Sequence, residues 1–140
     1  MDKSDRPENK DKQLSEFMRM ALTERFQWGV NDCCATVDAW CLLRTGKSPI
    51  KAVHETYASE PQAMEIIERR SGVARMVSGA MRAAKLPKTR DPKSGDVGVV
   101  KMLGRVCAAV KVGDIWTARD KTGMLATARP DRIIAAWRID

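Results

Sequence analysis

Between Leu14 and Arg25 the apolar residues are Leu14, Phe17, Met18, Ala21 and Leu22. That is the i, i+3, i+4, i+7, i+8 spacing of one helix face, so the segment predicts an amphipathic helix. Before it, Met1–Lys12 is almost wholly polar and reads as a mobile charged tail. Gly29 and Asn31 break the pattern with turn residues. Asp32 then stands as the N-cap of a helix over Cys33–Thr45, with Gly46 as its stop. In that helix only Thr36, Asp38 and Arg44 are clearly polar, so the pattern predicts a central helix buried nearly all round. Lys47–Ala58 reads as a connection. Ser59, Pro61 and Gln62 open a further helix ending near Arg70, and Val73–Lys85 carries another in-phase apolar stripe.

After Lys88–Gly95 the period changes. Val97, Val99 and Val100 suggest a strand, and Val106, Ala108, Val110 and Val112 alternate with Arg105, Cys107, Ala109 and Lys111. Short apolar runs at Ile115–Ala118, Met124–Ala128 and Ile133–Ile139 follow, separated by turn residues. Helices first and strands afterwards mean α+β, and connections this short require an antiparallel sheet, here of four to five strands. The expected organisation is a tail over residues 1–12 and one domain over 13–140, with helices to about residue 86 and the sheet from about 95.

Composition narrows the class. The 140 residues are 44% apolar and 31% charged, values of a globular chain rather than a disordered one. No run approaches the length of a membrane span, and the first residues lack the apolar core of a signal peptide. The expectation is cytoplasmic synthesis. The formal charge of +7 is unevenly spread. Residues 1–66 hold 9 Lys or Arg against 11 Asp or Glu, while residues 67–140 hold 16 against 7. The basic half is either a solvated surface or a site for a polyanion. Aromatics are only 5%, which argues against a stacking platform for single-stranded nucleic acid.

The four cysteines, Cys33, Cys34, Cys41 and Cys107, lack zinc-finger spacing, so no metal and no cofactor is expected. Cys33 is the sharpest candidate. In the first turn of a helix it meets free backbone N–H groups and the positive dipole end, both of which favour the thiolate. The competing reading is a small core hydrophobe. Cys34 shares the position less favourably, and Cys41 reads as core. His54, the single histidine, falls in the connection after the central helix and reads as a surface loop residue. Cys107 shares its strand face with Arg105, Ala109 and Lys111, and either lines a cleft or, as the favoured expectation, faces a partly covered surface. Trp28, Trp40, Trp116 and Trp137 read as core or cleft walls.

Trp28-Gly29-Val30-Asn31-Asp32-Cys33-Cys34, then a helix, then Gly95-Asp96-Val97-Gly98-Val99-Val100 opening a sheet resembles the layout of NlpC-type cell-wall cysteine peptidases. These have a circularly rearranged papain-like fold. Thr45-Gly46, Tyr57 and Ala136-Trp137-Arg138 extend the likeness to a group of small phage and prophage proteins of the same type, over about residues 26–139. The resemblance implies Cys33 as nucleophile behind its helix-capping Asp32. It places the catalytic histidine at or near Cys107 and a third polar residue near Thr117. No histidine stands at the first of these places.

Three functions follow as expectations. The first is a degenerate papain-like domain in phage tail assembly or structure, associated with the virion and partnered by tail proteins. The second is an active cysteine hydrolase or amidase on peptidoglycan peptides, with Cys33 as nucleophile and His54 as a substitute base. The third is a basic nucleic-acid-binding module, which no helix-turn-helix, finger or RRM signature supports.

Overall fold

A computed structural model describes residues 7–140. Five helices precede a five-stranded antiparallel sheet, so the α+β class stands. The helices are α1 (Pro7–Thr23), α2 (Cys33–Thr45), α3 (Pro49–Ala52), α4 (Glu60–Arg69) and α5 (Val73–Ala83). The strands are β1 (Val97–Met102), β2 (Arg105–Val112), β3 (Ile115–Asp120), β4 (Gly123–Thr127) and β5 (Arg132–Trp137), ordered β4-β3-β2-β1-β5.

Two sequence expectations need correction. The tail expected to run through Lys12 is helical from Pro7, and Met1–Arg6 lies outside the described residues. The physical reason is long-range. Lys10 donates to the carbonyl of Ile139 and stands 3.9 Å from Asp96, so this polar turn is secured by the far end of the chain. The helix α2 is also less enclosed than its composition predicts. Trp40 and Cys41 are fully buried, but Leu42 and Leu43 are 42% and 52% exposed. Sheet, α3 and α1 cover the rest of α2, and Arg44 of the last turn reaches Gln13 of α1 at 2.9 Å, while Leu42 and Leu43 face outward.

The caps are those the sequence names. Asp32 accepts from the Ala35 amide at 3.0 Å, and Gly46 closes α2 in the left-handed region at φ 75°. Ser59 caps α4.

The sheet has two dissimilar faces. On one, Val97, Val99, Ala108, Val110 and Trp137 pack against Val37, Trp40 and Cys41 of α2, Val77 and Met81 of α5, and Leu14 and Met18 of α1. The Trp40 indole N–H donates 2.7 Å to the Gly95 carbonyl and pins α2 to the turn before β1. The other face has its own small core of Val100, Met102, Cys107, Ala109, Trp116, Ala118 and Ala136. Trp116 lies over Gly98, where a Cβ would meet the indole at 3.0 Å and the Ala135 carbonyl at 2.8 Å. A side chain at Gly98 would push that core apart.

The strands pair unevenly. The β1–β2 register runs unbroken from Val97↔Val110 to Met102↔Arg105. The β2–β3 register covers only Val110↔Thr117 to Val112↔Ile115. Beyond those pairs the strands diverge, and the first turn of α2 faces the fork.

Candidate active site

Two stretches of chain, Arg25–Ala35 and the segment at Tyr57, build the start of α2. Asp32 is 97% buried, and both its oxygens are used. Oδ1 accepts from the Ala35 amide and, at 2.7 Å, from the Tyr57 hydroxyl, while Oδ2 accepts from the Gly29 amide at 2.7 Å. Gly29 has φ 78°, and a Cβ there would stand 1.9 Å from the Tyr57 carbonyl oxygen. The chain near Tyr57 therefore crosses directly over Gly29, and only glycine fits. Asn31 completes the knot, accepting from the Gln27 amide at 2.6 Å and donating to the Arg25 carbonyl at 2.7 Å. Gly29, Asp32 and Tyr57 thus form one hydrogen-bonded unit whose effect is to fix the position of Cys33. Burial, with the charge of Asp32 and the hydrogen bond to it adding, holds the Tyr57 hydroxyl protonated and available as donor.

Cys33 and Cys34, adjacent on this turn, look into different hollows. Cys33 lines a cleft of about 540 Å³ at the β2–β3 fork. Arg105 and Cys107 of β2 and Arg119 and Asp120 of β3 form its sheet side, and Phe26 and Trp28 form a wall. The two rings meet edge to face at 5.1 Å. Cys34 lines an apolar cavity of about 50 Å³ among α2, α3, α4 and α5.

The two thiols differ accordingly. The Cys34 thiol donates to Cys33 and pulls the Cys33 pKa down. Burial opposes this, but the Ala108 and Cys34 amides help, and Cys33 ends below an ordinary thiol. The same bond, together with burial, drives Cys34 well up. The proton of the pair stays on Cys34, and Cys33 carries the thiolate character.

Of the two readings open for Cys107, the structure favours the cleft over the partly covered surface. Cys107 is 7% exposed, belongs to the second core, and still lines the cleft beside Cys33. The curvature that lets Trp116 fold over Gly98 encloses a face that strand alternation alone marks as outward. Burial, with the charge of Cys33 adding to it, pushes Cys107 up to about 11. Thr117 does not line the cleft. Its hydroxyl donates 2.9 Å to the Val110 carbonyl on the face toward α2. His54 is exposed, at φ 55°, and lines a separate surface hollow with Glu55, Gln62 and Arg69. The structure therefore brings together Asp32, Cys33 and Cys107, and leaves Thr117 and His54 outside.

Three further residues have roles that spacing did not reveal. Asp120 lines the cleft, and its Oδ1 accepts from the Thr122 hydroxyl and from the Thr122 and Gly123 amides. Burial raises its pKa, but these bonds and Arg105 outweigh it and hold the carboxyl below its usual range. Asp96, the acidic half of the Gly-Asp pair, is structural. It accepts from the Ile139 amide at 3.0 Å and the Lys93 amide at 2.8 Å. Arg119 reaches back to the end of α1, donating 3.0 Å to the Ala21 carbonyl and 2.6 Å to that of Glu24. Gly95-Asp96 and the turn residues from Asp120 to Gly123 were visible in the chain as turn signals, and Arg119 gave none.

For metal chemistry, one carboxylate oxygen of Asp32 and the Sγ atoms of Cys33 and Cys34 lie within 4.8 Å of one another. The three hydrogen bonds on Asp32 commit it to the cap, so the donor set is two thiols. Among the described residues no helix is long and apolar enough to cross a membrane.

A family model described as Domain of unknown function (DUF6950) matches residues 5–139. Neither the curated proteins nor the solved structures gave a match.

Proposed function

The chain belongs to the DUF6950 family, and on that premise we propose that it is a phage-type, NlpC-like papain domain that has lost its hydrolytic base and serves in tail assembly or structure. What supports the reading is an acidic cap and cysteine opening a helix that packs on an antiparallel sheet entered through Gly95-Asp96. One observation carries the loss of hydrolysis. The cleft holds a thiol but no imidazole, and the only histidine of the chain lines a different hollow.

Amide hydrolysis needs a group that takes a proton from the nucleophile and returns it to the leaving amine. Cys107 stands at the place the resemblance gives to histidine, with its pKa near 11. It keeps its proton at neutral pH. Asp120, held low, stays ionised there. Neither is poised to take up a proton and return it within each turnover near neutral pH.

The test is complementation of a phage or prophage carrying a deletion of this gene. Cys33→Ala is expected to restore particle formation fully. Failure of a folded Cys33→Ala chain would overturn the reading.

A second reading, an active cysteine amidase on peptidoglycan peptides, is favoured by the low pKa of Cys33 alone. It requires release of new amines from purified cell wall that Cys33→Ala abolishes. Absence of release from weakly acid to weakly alkaline pH removes it.

A further inference from the structure

We infer that Cys33 and Cys107 form a dithiol–disulfide couple, in which Cys33 attacks a low-molecular-weight disulfide in the cleft and Cys107 resolves the mixed disulfide. This is a chemical capacity of the cleft and holds whether or not the domain serves in a phage particle.

Placement is the first argument. Both thiols line the same cleft. Cys33 packs against the core cluster that contains Cys107. The cleft of about 540 Å³ that both thiols line lies where the β2–β3 pairing ends, with Cys33 the more exposed of the two.

The second argument is the missing base. An amine leaves a tetrahedral intermediate only when protonated, whereas exchange at a disulfide expels a thiolate, which leaves unaided. A site with a nucleophilic thiol, a second thiol and no proton shuttle suits exchange and not hydrolysis.

The steps balance. The Cys33 thiolate attacks one sulfur of R–S–S–R, the S–S bond breaks, and R–S⁻ departs, leaving Cys33–S–S–R. Cys107 then loses its proton and attacks the Cys33 sulfur. The Cys33–Cys107 bond forms and the second R–S⁻ leaves. The protein dithiol is oxidised by two electrons and the small disulfide is reduced to two thiolates, which take up the proton released by Cys107 and the one Cys33 had already given to solvent.

Cys34 is not the resolving thiol. Consecutive Cα atoms stand about 3.8 Å apart, below the roughly 4.4 Å minimum that most disulfides span. Bonding Cys33 to Cys34 would unwind the turn that Asp32 caps. Cys41 is fully buried in the other core.

The high pKa of Cys107 makes the second step slow at neutral pH and faster as pH rises. The mixed disulfide therefore accumulates first.

The experiment incubates the reduced full chain with oxidised glutathione, quenches with acid and an alkylating agent, and maps peptides by mass spectrometry. A glutathionyl group on Cys33 is expected first. A Cys33–Cys107 cross-link then replaces it, sooner at higher pH. Cys107→Ala, or Cys107→Ser if the alanine variant loses its circular dichroism, is expected to stop at glutathionylated Cys33. Cys34→Ala is expected to form the cross-link still. A Cys33–Cys34 bond, first modification at another cysteine, or a Cys33 no more reactive than in the denatured chain would each overturn the inference.

Discussion

The two hollows that meet at the first turn of α2 are built from the same residue type and do opposite things. Cys33 faces a cleft of about 540 Å³ with charged groups on its rim, and its pKa falls. Cys34, one residue on, faces an apolar cavity of about 50 Å³, and its pKa rises. The helix dipole and the capping carboxylate are common to both, so neither explains the difference. Surroundings do. The cavity side supplies no donor to a Cys34 thiolate, whereas Cys33 receives one thiol and two amide hydrogens. A cysteine at a helix start is reactive only when the groups around it hold the anion.

The largest expected effect removes the shared frame. Gly29→Ala drives a Cβ into the Tyr57 carbonyl and imposes a left-handed φ on alanine. Asp32→Ala removes a cap and strands the Tyr57 hydroxyl and the Gly29 amide. Each is expected to cost about 3 kcal/mol or more in urea unfolding, and to erase the difference between the two thiols. A cost near zero would mean that the knot does not set the helix start.

Alkaline pH tests the cleft side next. The pKa of Cys107 is raised to about 11 in the folded chain, against roughly 8.5 for a free thiol. Between those values the folded state binds more protons than the unfolded one, so stability falls as pH rises. Below the lower value the contribution is fully present. The expected loss is about 3 kcal/mol across that window, and Cys107→Ala is expected to make the slope shallower, leaving the part due to the buried Cys34 and Cys41 thiols.

Tyr57→Phe sharpens the comparison more gently. It deletes one of three donors to Asp32 and is expected to cost about 1 kcal/mol in thermal unfolding. Smallest in stability, below about 1 kcal/mol, is Cys34→Ala. Its signature lies elsewhere. Without the Cys34 donor the alkylation profile of Cys33 is expected to move to higher pH. An unmoved profile would show that the Ala108 and Cys34 amides alone hold the thiolate.

Elements with local signals were legible in the chain. Asp32, Gly46 and Ser59 mark helix ends because caps act within a few residues. Alternation in β2 likewise reports a strand. What alternation did not report is that the sheet covers both its faces, because the enclosure of Cys107 depends on Trp116 lying over Gly98. The start of α1 was hidden since its polar residues are secured by partners more than a hundred positions away. Cys33 was found from its place on a helix. Its thiol partner Cys34 and the donation from Ala108 were not, because no sequence spacing encodes which of two adjacent side chains faces a fork between strands.

The ties on α1 also set an order of events. Its first turn is held through Lys10 by residue 139, and its last carbonyls by Arg119, nearly a hundred positions downstream. A chain made from its N-terminus outward therefore completes its first helix last. Contacts of such long separation slow folding, because the ends must find each other before the bonds form. During synthesis Leu14 and Met18 can meet α2 and α5 early, but the ties at both ends of α1 wait until Arg119 and residue 139 have emerged. That interval, rather than the finished fold, is when this chain is most open to a chaperone or a protease.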